Sequence, residues 1–441
     1  MILYFCTMRK FVKQSITQIE EFTRNLVALS TRYNQAVILN SNGYTEGKDW
    51  FNEYKGFELL AAIDSVGEVT TALNEHNSNK QSDWQFGYIN YDAKNHIEPS
   101  LTSKNSDRIG FDEVCFFTPR FVIEIASNTV KVSYLPDYNN HLDADKLIEE
   151  INNFTPQNDI DTHAFNISHT LQKEEYVDRV NKIKEHIFRG DIYELNFCME
   201  FYANKANINP SNTYNKLISL SPTPFAAFVK SGEHYLLSAS PERYIKRVGN
   251  RVISQPIKGT ARRGNSADND NCLKADLIND PKEQSENIMI TDLVRNDLSK
   301  VAKRGSVKVE ELMGLYTFPQ VHQLISTISA DVSSKTTWLD IVKATFPMGS
   351  MTGAPKINAM QLIDKYEVSK RGLYSGAVGY IAPNGDFDFN VVIRSLLYNN
   401  NTKCISFSVG SAITANSNAE AEYNECLLKA SALLKALNAS L

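Results

Sequence analysis

The amino-acid sequence predicts a layered α+β fold, and two observations support that prediction. Runs of β-branched and aromatic residues are separated by polar turns, and amphipathic helical segments lie between some of these runs but not between all of them. A strict alternation of strands and helices would instead favour a doubly wound parallel sheet. With 441 residues, of which 42% are hydrophobic, the chain is long enough to bury a large core.

The first region of the chain is rich in strand-like runs. Strands are expected at 37–39, 84–91 and 121–125, bounded by polar turn residues. A polar stretch without periodicity, from 155 to 170, follows them and predicts a domain boundary. We therefore expect an N-terminal region of residues 1–160 and a second region of residues 161–441.

The second region opens with an amphipathic helix. Tyr176, Val180, Ile183 and Ile187 recur on one face, and Gly190 stands where a residue just beyond a helix end belongs. Further strands are expected at 235–238, 251–256, 376–380, 389–397 and 403–409. Further helices are expected around 281–299, 337–346, 355–366 and 419–438.

Composition argues against several classes of protein. A formal net charge of -5, with 22% charged residues, gives no sign of a nucleic-acid or anionic-membrane binder. No apolar run reaches the length of a transmembrane helix, and the six cysteines form no C-x-x-C pair. The apolar start MILYFCTM is followed, not preceded, by basic residues, unlike a secretory signal. We expect a cytoplasmic protein whose natural start is Met8.

Two predicted helices carry acidic side chains that could have a function. Asp280 suits an N-cap, with Pro281 at the first helical position and Glu286 further into the helix. Taken alone, this pattern is typical of a solvated acidic helix. In the last helix, Glu425 and Lys429 have the i,i+4 spacing of a surface ion pair. The alternative is that such carboxylates bind a hard divalent cation, with the ammonium group close by for an anionic ligand.

Two loops are rich in small and hydroxyl-bearing residues. In the first loop, Lys258 lies between an apolar strand end and a turn formed by Gly259 and Thr260. The second loop, 346–356, ends with Pro355 at the expected start of a helix, and it lacks the spacing of a P-loop. Each loop alone is compatible with a structural turn or with a small-anion site.

Together, these segments resemble the chorismate-binding family, which includes anthranilate synthases, aminodeoxychorismate synthases, isochorismate synthases and salicylate synthases. The resemblance covers about residues 166–439, and a looser match, FGYINYD (86–92), lies in the N-terminal region. The matching segments are GDIYELN (190–196), SASPER (238–243), PIKGTARRG (256–264), SENIMITDLVRND (285–297), VHQLIST (321–327), FPMGSMTGAPK (346–356), RGLYSGAVGY (371–380), VVIRS (391–395) and EAEYNE (420–425).

The resemblance implies a fold and a reaction. The fold is an anthranilate-synthase-like α+β sandwich of two β-sheets with helices outside. In the family, the residue before Gly-Thr is usually alanine in anthranilate synthases and lysine in aminodeoxychorismate synthases, and here it is Lys258. The implied reaction is amination of chorismate to 4-amino-4-deoxychorismate, on the path to p-aminobenzoate and folate. Anthranilate synthase, of tryptophan biosynthesis, is the alternative.

The resemblance also implies roles for individual residues. Lys258 would attack ring C2 as the 4-hydroxyl leaves, which requires an amine whose pKa is far below its ordinary value. Glu286 and Glu425 match the Mg²⁺ ligands, with Glu422 in or near the coordination shell. Arg394 and Tyr374 match residues that hold the enolpyruvyl carboxylate. The remaining expected substrate contacts are Gly259, Thr260, Gly410, Ser411, Ala412 and Lys429.

The sequence departs from the family pattern at three places. A usual glycine is replaced by Ala412, which leaves less room if its φ is positive. Gln323 stands where anthranilate synthases have a histidine, and the neighbouring His322 is more typical of a residue at the edge of a core. Glu194 lies where isochorismate and salicylate synthases have a water-activating lysine. We expect Glu194 to act with Lys258 in catalysis, by steering ammonia.

The expected partner supplies the ammonia. No cysteine lies in a G-x-C-x-G context, so the chain has no candidate glutaminase nucleophile. A separate glutamine amidotransferase subunit is therefore expected. The lyase that would release p-aminobenzoate is also expected to be a separate protein. The tryptophan-sensing motif of feedback-inhibited anthranilate synthases is not visible, although Leu59-Leu60 comes close to it.

Overall fold

A computed structural model describes residues 8–44, 57–73, 83–156 and 165–439. The expected boundary at residue 160 and the chain start before Met8 lie outside the described residues and stay predictions. None of the helices in the described ranges is both long and apolar enough to cross a membrane. These helices are α1 (Ile19–Ser30), α2 (Lys94–Ile97), α3 (His141–Asn153), α4 (Lys173–Phe188), α5 (Pro210–Leu220), α6 (Ala267–Asn279), α7 (Pro281–Ser299), α8 (Trp338–Thr345), α9 (Lys356–Tyr366) and α10 (Ala419–Ala436).

Antiparallel hydrogen bonds join the described strands into one network. The strands are β1 (Lys10–Ser15), β2 (Gln35–Asn40), β3 (Leu59–Thr70), β4 (Gln85–Ile89), β5 (Val114–Ala126), β6 (Thr129–Tyr134), β7 (Ser168–His169), β8 (Glu194–Ala203), β9 (Phe225–Ser231), β10 (His234–Ser240), β11 (Arg243–Val248), β12 (Arg251–Gln255), β13 (Ile257–Arg262), β14 (Lys308–Thr317), β15 (Val321–Asp331), β16 (Gly353–Ala354), β17 (Ala377–Ile381), β18 (Phe387–Asn390), β19 (Ser395–Asn399) and β20 (Cys404–Ile413).

The network has two arms that meet at the long strand β5. One arm follows the order β6-β5-β3-β2-β9-β10-β19-β20-β8. The other arm follows the order β5-β4-β17-β18-β11-β12-β15, with β13 and β14 also paired to β15. Because β2 pairs with β9 and β4 pairs with β17, strands from both sides of residue 160 lie in the same sheets.

Side-chain alternation along the first arm divides its apolar residues between two cores. Ala36 and Ile38 of β2 lie in a core shared with the outer helices, which include α1, α4 and α10. Val37 and Leu39 lie in a second core that also contains Tyr88 of the other arm, so the arms pack face to face. Complete burial of one such aliphatic side chain contributes about 1.5–3 kcal/mol. The predicted layered α+β fold with helices outside is confirmed, and its two sheet layers are the two arms of one continuous antiparallel sheet.

The predicted helix starts are largely confirmed, and one predicted strand is wrong. The Asp280 carboxylate accepts hydrogen bonds from the backbone N–H groups of Lys282 and Glu283, at 2.8 and 3.1 Å, and caps α7. Pro355 is the N-cap of α9, one position earlier than expected. The single strand expected at 389–397 is instead β18 and β19, because the chain crosses between the two arms there. Arg394, with φ of 51°, lies in this crossing.

Candidate active site

A cavity of about 400 Å³ opens between α7, α10 and the ends of several strands. Two expected site residues are not among its lining residues. Glu194 hydrogen-bonds to Lys258, which does line the cavity. The Ser411 side chain lies on the face of β20 that points away from the cavity, toward Tyr176. The expected site residues that do line the cavity are Lys258, Gly259, Thr260, Glu286, Tyr374, Arg394, Gly410, Ala412, Glu422, Glu425 and Lys429.

Lys258 reaches the cavity through a bulge in β13. The register between β13 and β15 shifts between Ile257 and Thr260, and such bulges change the direction of a side chain. Gly259 lies in the bulge with φ of 91°, a left-handed conformation that favours glycine. The side-chain amide of Asn287, on α7, donates to the Lys258 carbonyl at 2.6 Å. The helix and the bulge therefore hold the lysine backbone in place.

The Lys258 ammonium group is held between two carboxylates. Its Nζ donates to Oε1 of Glu194 at 2.7 Å and lies 3.7 Å from Oε2 of Glu286. Burial by itself would lower the pKa of Lys258, but Glu194 and Glu286 outweigh it and raise that pKa above its ordinary value. The expectation of a lowered pKa was therefore wrong for these surroundings. Before Lys258 can act as a nucleophile, it must transfer a proton, and Glu194 is the nearest acceptor.

Acidic side chains from α7 and α10 meet at the cavity wall. The Glu286 and Glu422 side chains are only 7% and 4% exposed. Nζ of Lys282 lies between them, 3.9 Å from Oε1 of Glu286 and 3.3 Å from Oε1 of Glu422. Burial raises the pKa of Glu286 to about 7. Burial also acts to raise the pKa of Glu425, but its ion pair with Lys429 outweighs this and lowers the pKa.

The same acidic residues suit a hard divalent cation. Oε1 of Glu286 and Oε2 of Glu422 are buried and have no hydrogen-bond partner within the described part of the chain. Across those ranges, no three Asp, Glu, His or Cys side chains enclose a metal by themselves. Mg²⁺ commonly takes one or two protein carboxylates and completes its shell with water and ligand oxygens. Glu286 and Glu422 therefore have donor oxygens that would suit a Mg²⁺ ion with a bound ligand carboxylate, and Glu425 lines the same cavity.

Arg394 lines the cavity and presents a positive charge to it. Among the described residues, none of the hydrogen bonds involves its guanidinium group, whose five N–H donors therefore remain available. Burial lowers the pKa of Arg394, but a guanidinium remains charged at neutral pH. Tyr374 also lines the cavity, with its hydroxyl 3.8 Å from Sγ of Cys198. The pair is suited to a carboxylate group.

The β20 segment forms another wall. A Cβ at Gly410 would lie 2.5 Å from Sγ of Cys198, so any other residue there would force the Cys198 side chain to move. The Ser411 side chain points away from the cavity, and its Oγ lies 3.2 Å from the Tyr176 hydroxyl. Ala412 does not have a positive φ, so its methyl group causes no backbone strain. Lys429 donates to the Gly410 carbonyl at 2.9 Å and lies 2.7 Å from Glu425, which is the ion pair that the i,i+4 spacing predicts.

Glu242 is a site residue that sequence reasoning missed. It lines the cavity, is buried, and accepts a hydrogen bond from the Ser350 hydroxyl at 2.6 Å. Burial raises its pKa to about 7, although Ser350 and Lys258 act in the opposite direction. A carboxyl group with this pKa can donate a proton near neutral pH. The available signal was an acidic residue within the SASPER segment, after an apolar strand.

The histidine next to Gln323 is structural. His322 is fully buried, and its ring nitrogens lie 2.9 Å from Oδ1 of Asp270 and 3.0 Å from Oγ1 of Thr317. This confirms the expectation of a core histidine. Gln323 lines the cavity instead, with Nε2 at 3.4 Å from Oγ1 of Thr260.

Comparisons with known proteins agree with this fold and cavity. Residues 34–435 match the family model described as chorismate binding enzyme, and the chain belongs to that family. It is 36% identical over 298 residues to aminodeoxychorismate synthase component 1 of Escherichia coli (strain K12), spanning 68% of this chain and 65% of that protein. It is 33% identical over 415 residues to anthranilate synthase component 1 of Aquifex aeolicus, spanning 89% of this chain and 82% of that protein.

A solved structure extends the similarity to nearly the whole chain. The crystal structure of anthranilate synthase component I from Streptococcus pneumoniae TIGR4 matches with a TM-score of 0.73 at 25% identity. The match covers 98% of this chain and 94% of that one. Since relatives with two different activities are similarly distant, they establish the family but leave the particular member open.

Proposed function

We propose that this chain converts chorismate and ammonia to 4-amino-4-deoxychorismate. The observation that carries the proposal is Lys258, a buried amine in the cavity at the position where anthranilate synthases usually have alanine. Arg394 and Tyr374 would bind the enolpyruvyl carboxylate. A Mg²⁺ ion bound by the acidic residues would hold the ring carboxylate and offset negative charge as the hydroxyl departs.

The proposed first step joins Lys258 to the ring. The lysine transfers a proton to Glu194, its partner at 2.7 Å, and the neutral Nζ then forms a bond to C2. Both double bonds of the ring shift, from C1=C2 and C5=C6 to C1=C6 and C4=C5, and the C4–O bond breaks. Glu242 donates a proton to the departing oxygen, so that water leaves. Splitting one displacement into two easier ones is the usual advantage of a covalent intermediate.

The proposed second step releases the lysine. Ammonia forms a bond to C4, both ring double bonds shift back and the C2–N bond to Lys258 breaks, with one proton moving from the entering nitrogen to the departing amine. Oε2 of Glu194 is buried without a hydrogen-bond partner among the described residues. This oxygen can accept an N–H from ammonia, which supports the steering role proposed for Glu194.

Product analysis tests the proposal directly. The purified chain is incubated with chorismate, Mg²⁺ and an ammonium salt, and the products are separated and identified by mass spectrometry. We expect 4-amino-4-deoxychorismate and its loss in Lys258→Ala. Anthranilate synthase activity is the second candidate, favoured by the coverage of the Aquifex relative, and fluorescent anthranilate as the main product would overturn the first assignment.

A covalent intermediate gives a second test of the same proposal. With ammonia withheld, intact-protein mass and peptide mapping should find a chorismate-derived ring on Lys258. Holding the amine against C2 converts an encounter into an intramolecular attack. An adduct on a different lysine, or undiminished activity in Lys258→Ala, would mean that Lys258 only orients the substrate.

The proposal includes a partner and a location. Glutamine should support the reaction only after a glutamine amidotransferase subunit is added, whereas ammonium salts should suffice for the chain alone. Glutamine-dependent product from the pure chain would contradict this. We place the enzyme in the cytoplasm, where a separate lyase would release p-aminobenzoate for folate synthesis.

A further inference from the structure

Lys282 bridges two carboxylates that come from different helices. It lies one turn before Glu286 on α7, and its ammonium group reaches Glu422 on α10, 140 residues away in the sequence. The lysine side chain is 42% exposed, whereas the two glutamate side chains are almost fully buried. Lys282 also lines the cavity. Its ammonium group therefore lies on the solvent-exposed side of these two carboxylates.

We infer that Lys282 competes with the divalent cation for Glu286 and Glu422. The inference rests on the metal site in the proposed function. Each carboxylate has an oxygen near the Lys282 ammonium, Oε1 of Glu286 at 3.9 Å and Oε1 of Glu422 at 3.3 Å. Among the described residues, Oε1 of Glu286 and Oε2 of Glu422 are buried without a hydrogen-bond partner. A divalent cation that binds both groups must replace the ammonium, because two cations cannot share these oxygens at contact distance without strong repulsion.

This competition affects how tightly the cation binds before a ligand is present. Lys282 reduces the affinity of the cation for the protein alone, so that firm binding needs the additional oxygens of a ligand carboxylate. When displaced, Lys282 remains tethered at the cavity wall. The other lysines near these acids contact them differently. Lys258 lies 3.7 Å from Glu286 and pairs with Glu194, and Lys429 pairs with Glu425 on its own helix.

The experiment measures metal affinity without substrate. Mn²⁺, a hard divalent cation that also prefers oxygen ligands, is titrated into the full chain, and free Mn²⁺ is followed by electron paramagnetic resonance. We expect Lys282→Met to bind Mn²⁺ about five- to tenfold more tightly than the wild type, the effect of losing ion pairs that are partly exposed. Lys282→Arg, which keeps the charge, should remain near the wild-type affinity.

Two controls make the result specific. Lys173→Met removes the same charge from an exposed pair with Glu420 on α10, outside the cavity lining, and should leave Mn²⁺ affinity unchanged. Glu286→Gln should weaken Mn²⁺ binding in both the wild-type and the Lys282→Met background. Unchanged or weaker Mn²⁺ binding by Lys282→Met would overturn the inference alone, provided that Glu286→Gln still weakens it. If no variant binds Mn²⁺, the metal assignment and this inference are both wrong.

Discussion

Two clusters of charged side chains lie at opposite ends of β13, and their carboxylates differ in how they are satisfied. The first, here called the anchor cluster, consists of Asp270, Arg263, Lys274 and His322. Both oxygens of Asp270 have donors: Oδ1 accepts from Arg263, His322 and the Gly264 N–H, and Oδ2 lies 3.1 Å from Nζ of Lys274. The hydrogen bonds, first of all from Arg263, lower the pKa of Asp270.

The second, here called the cavity cluster, consists of Glu194, Glu286, Glu422 and Lys258. Each of its carboxylates keeps a buried oxygen that has no hydrogen-bond partner in the described residues. Such an oxygen reduces stability unless something binds it, so its presence calls for an explanation such as a ligand or an ion. Charge alone therefore does not distinguish these two clusters, whereas the unsatisfied buried acceptors of the cavity cluster do.

The largest expected effect comes from breaking the cavity cluster at its proposed metal ligand. Glu286→Gln should lower the Mg²⁺-dependent rate about 10²- to 10³-fold, because it removes charge that is aligned for the reaction. The melting temperature should be unchanged or higher, since the variant loses a buried carboxylate with an unpaired oxygen. Initial rates and thermal denaturation measure both effects. Glu425→Gln should act in the same direction, and full Mg²⁺-dependent activity in either variant would remove that residue from the metal site.

The next effect concerns the proposed proton donor. Glu242→Gln should lower the rate about 10²-fold, the usual contribution of a general acid. Because the pKa of Glu242 is about 7, the wild-type rate should fall as the pH rises above that value, and the variant should lose this dependence. Rates measured across pH with the same substrate test this. A variant with the wild-type profile would assign the acid role to another group.

The same carboxyl group links stability to pH. Burial raises the pKa of Glu242 from its ordinary value of 4.5 to about 7 in the folded protein. The stability contributed by its protonated form is therefore complete below about pH 4.5 and is lost as the pH rises through about 7. Glu242→Gln should remove this component of stability. The melting temperature of the variant should therefore rise relative to that of the wild type as the pH increases from about 4.5 to about 7.

Disrupting the anchor cluster should reduce stability and leave activity nearly unchanged, the opposite of the outcome expected for Glu286→Gln. His322→Ala should lower the free energy of unfolding by roughly 2 kcal/mol, because it leaves a cavity and removes hydrogen bonds to Asp270 and Thr317. The activity per folded molecule should stay within about threefold of the wild type, since the ring does not line the cavity. Chemical denaturation and rates at low temperature separate the two effects. A large loss of activity at unchanged stability would instead give His322 a role in the reaction.

The sequence could predict the parts of this comparison that are local. The cap at Asp280 and the face of α4 follow from residues close together in the chain. The loop expected around Lys258 was wrong, because Ile257–Arg262 pair with β15 and form the strand β13 with a bulge. The pairing of Lys282 with Glu422 depends on how α7 and α10 pack, which local patterns do not specify. The raised pKa of Glu242 likewise arises from burial under distant segments. The break between β18 and β19 reflects which arm each strand joins, not the propensity of the residues between them.

The smallest expected effect separates the two interpretations of Lys429. Its side chain is 46% exposed and pairs with a Glu425 that is 42% exposed, so Lys429→Met should change stability by no more than a few tenths of a kcal/mol. If Lys429 also contacts a substrate carboxylate, the KM for chorismate should rise about three- to fivefold while kcat stays constant, as expected for binding that is equal in the ground and transition states. Steady-state kinetics at fixed Mg²⁺ measures both constants, with Lys173→Met as the matched exposed pair that should change neither. An unchanged KM in Lys429→Met would leave the residue as the surface ion pair that its spacing alone suggests.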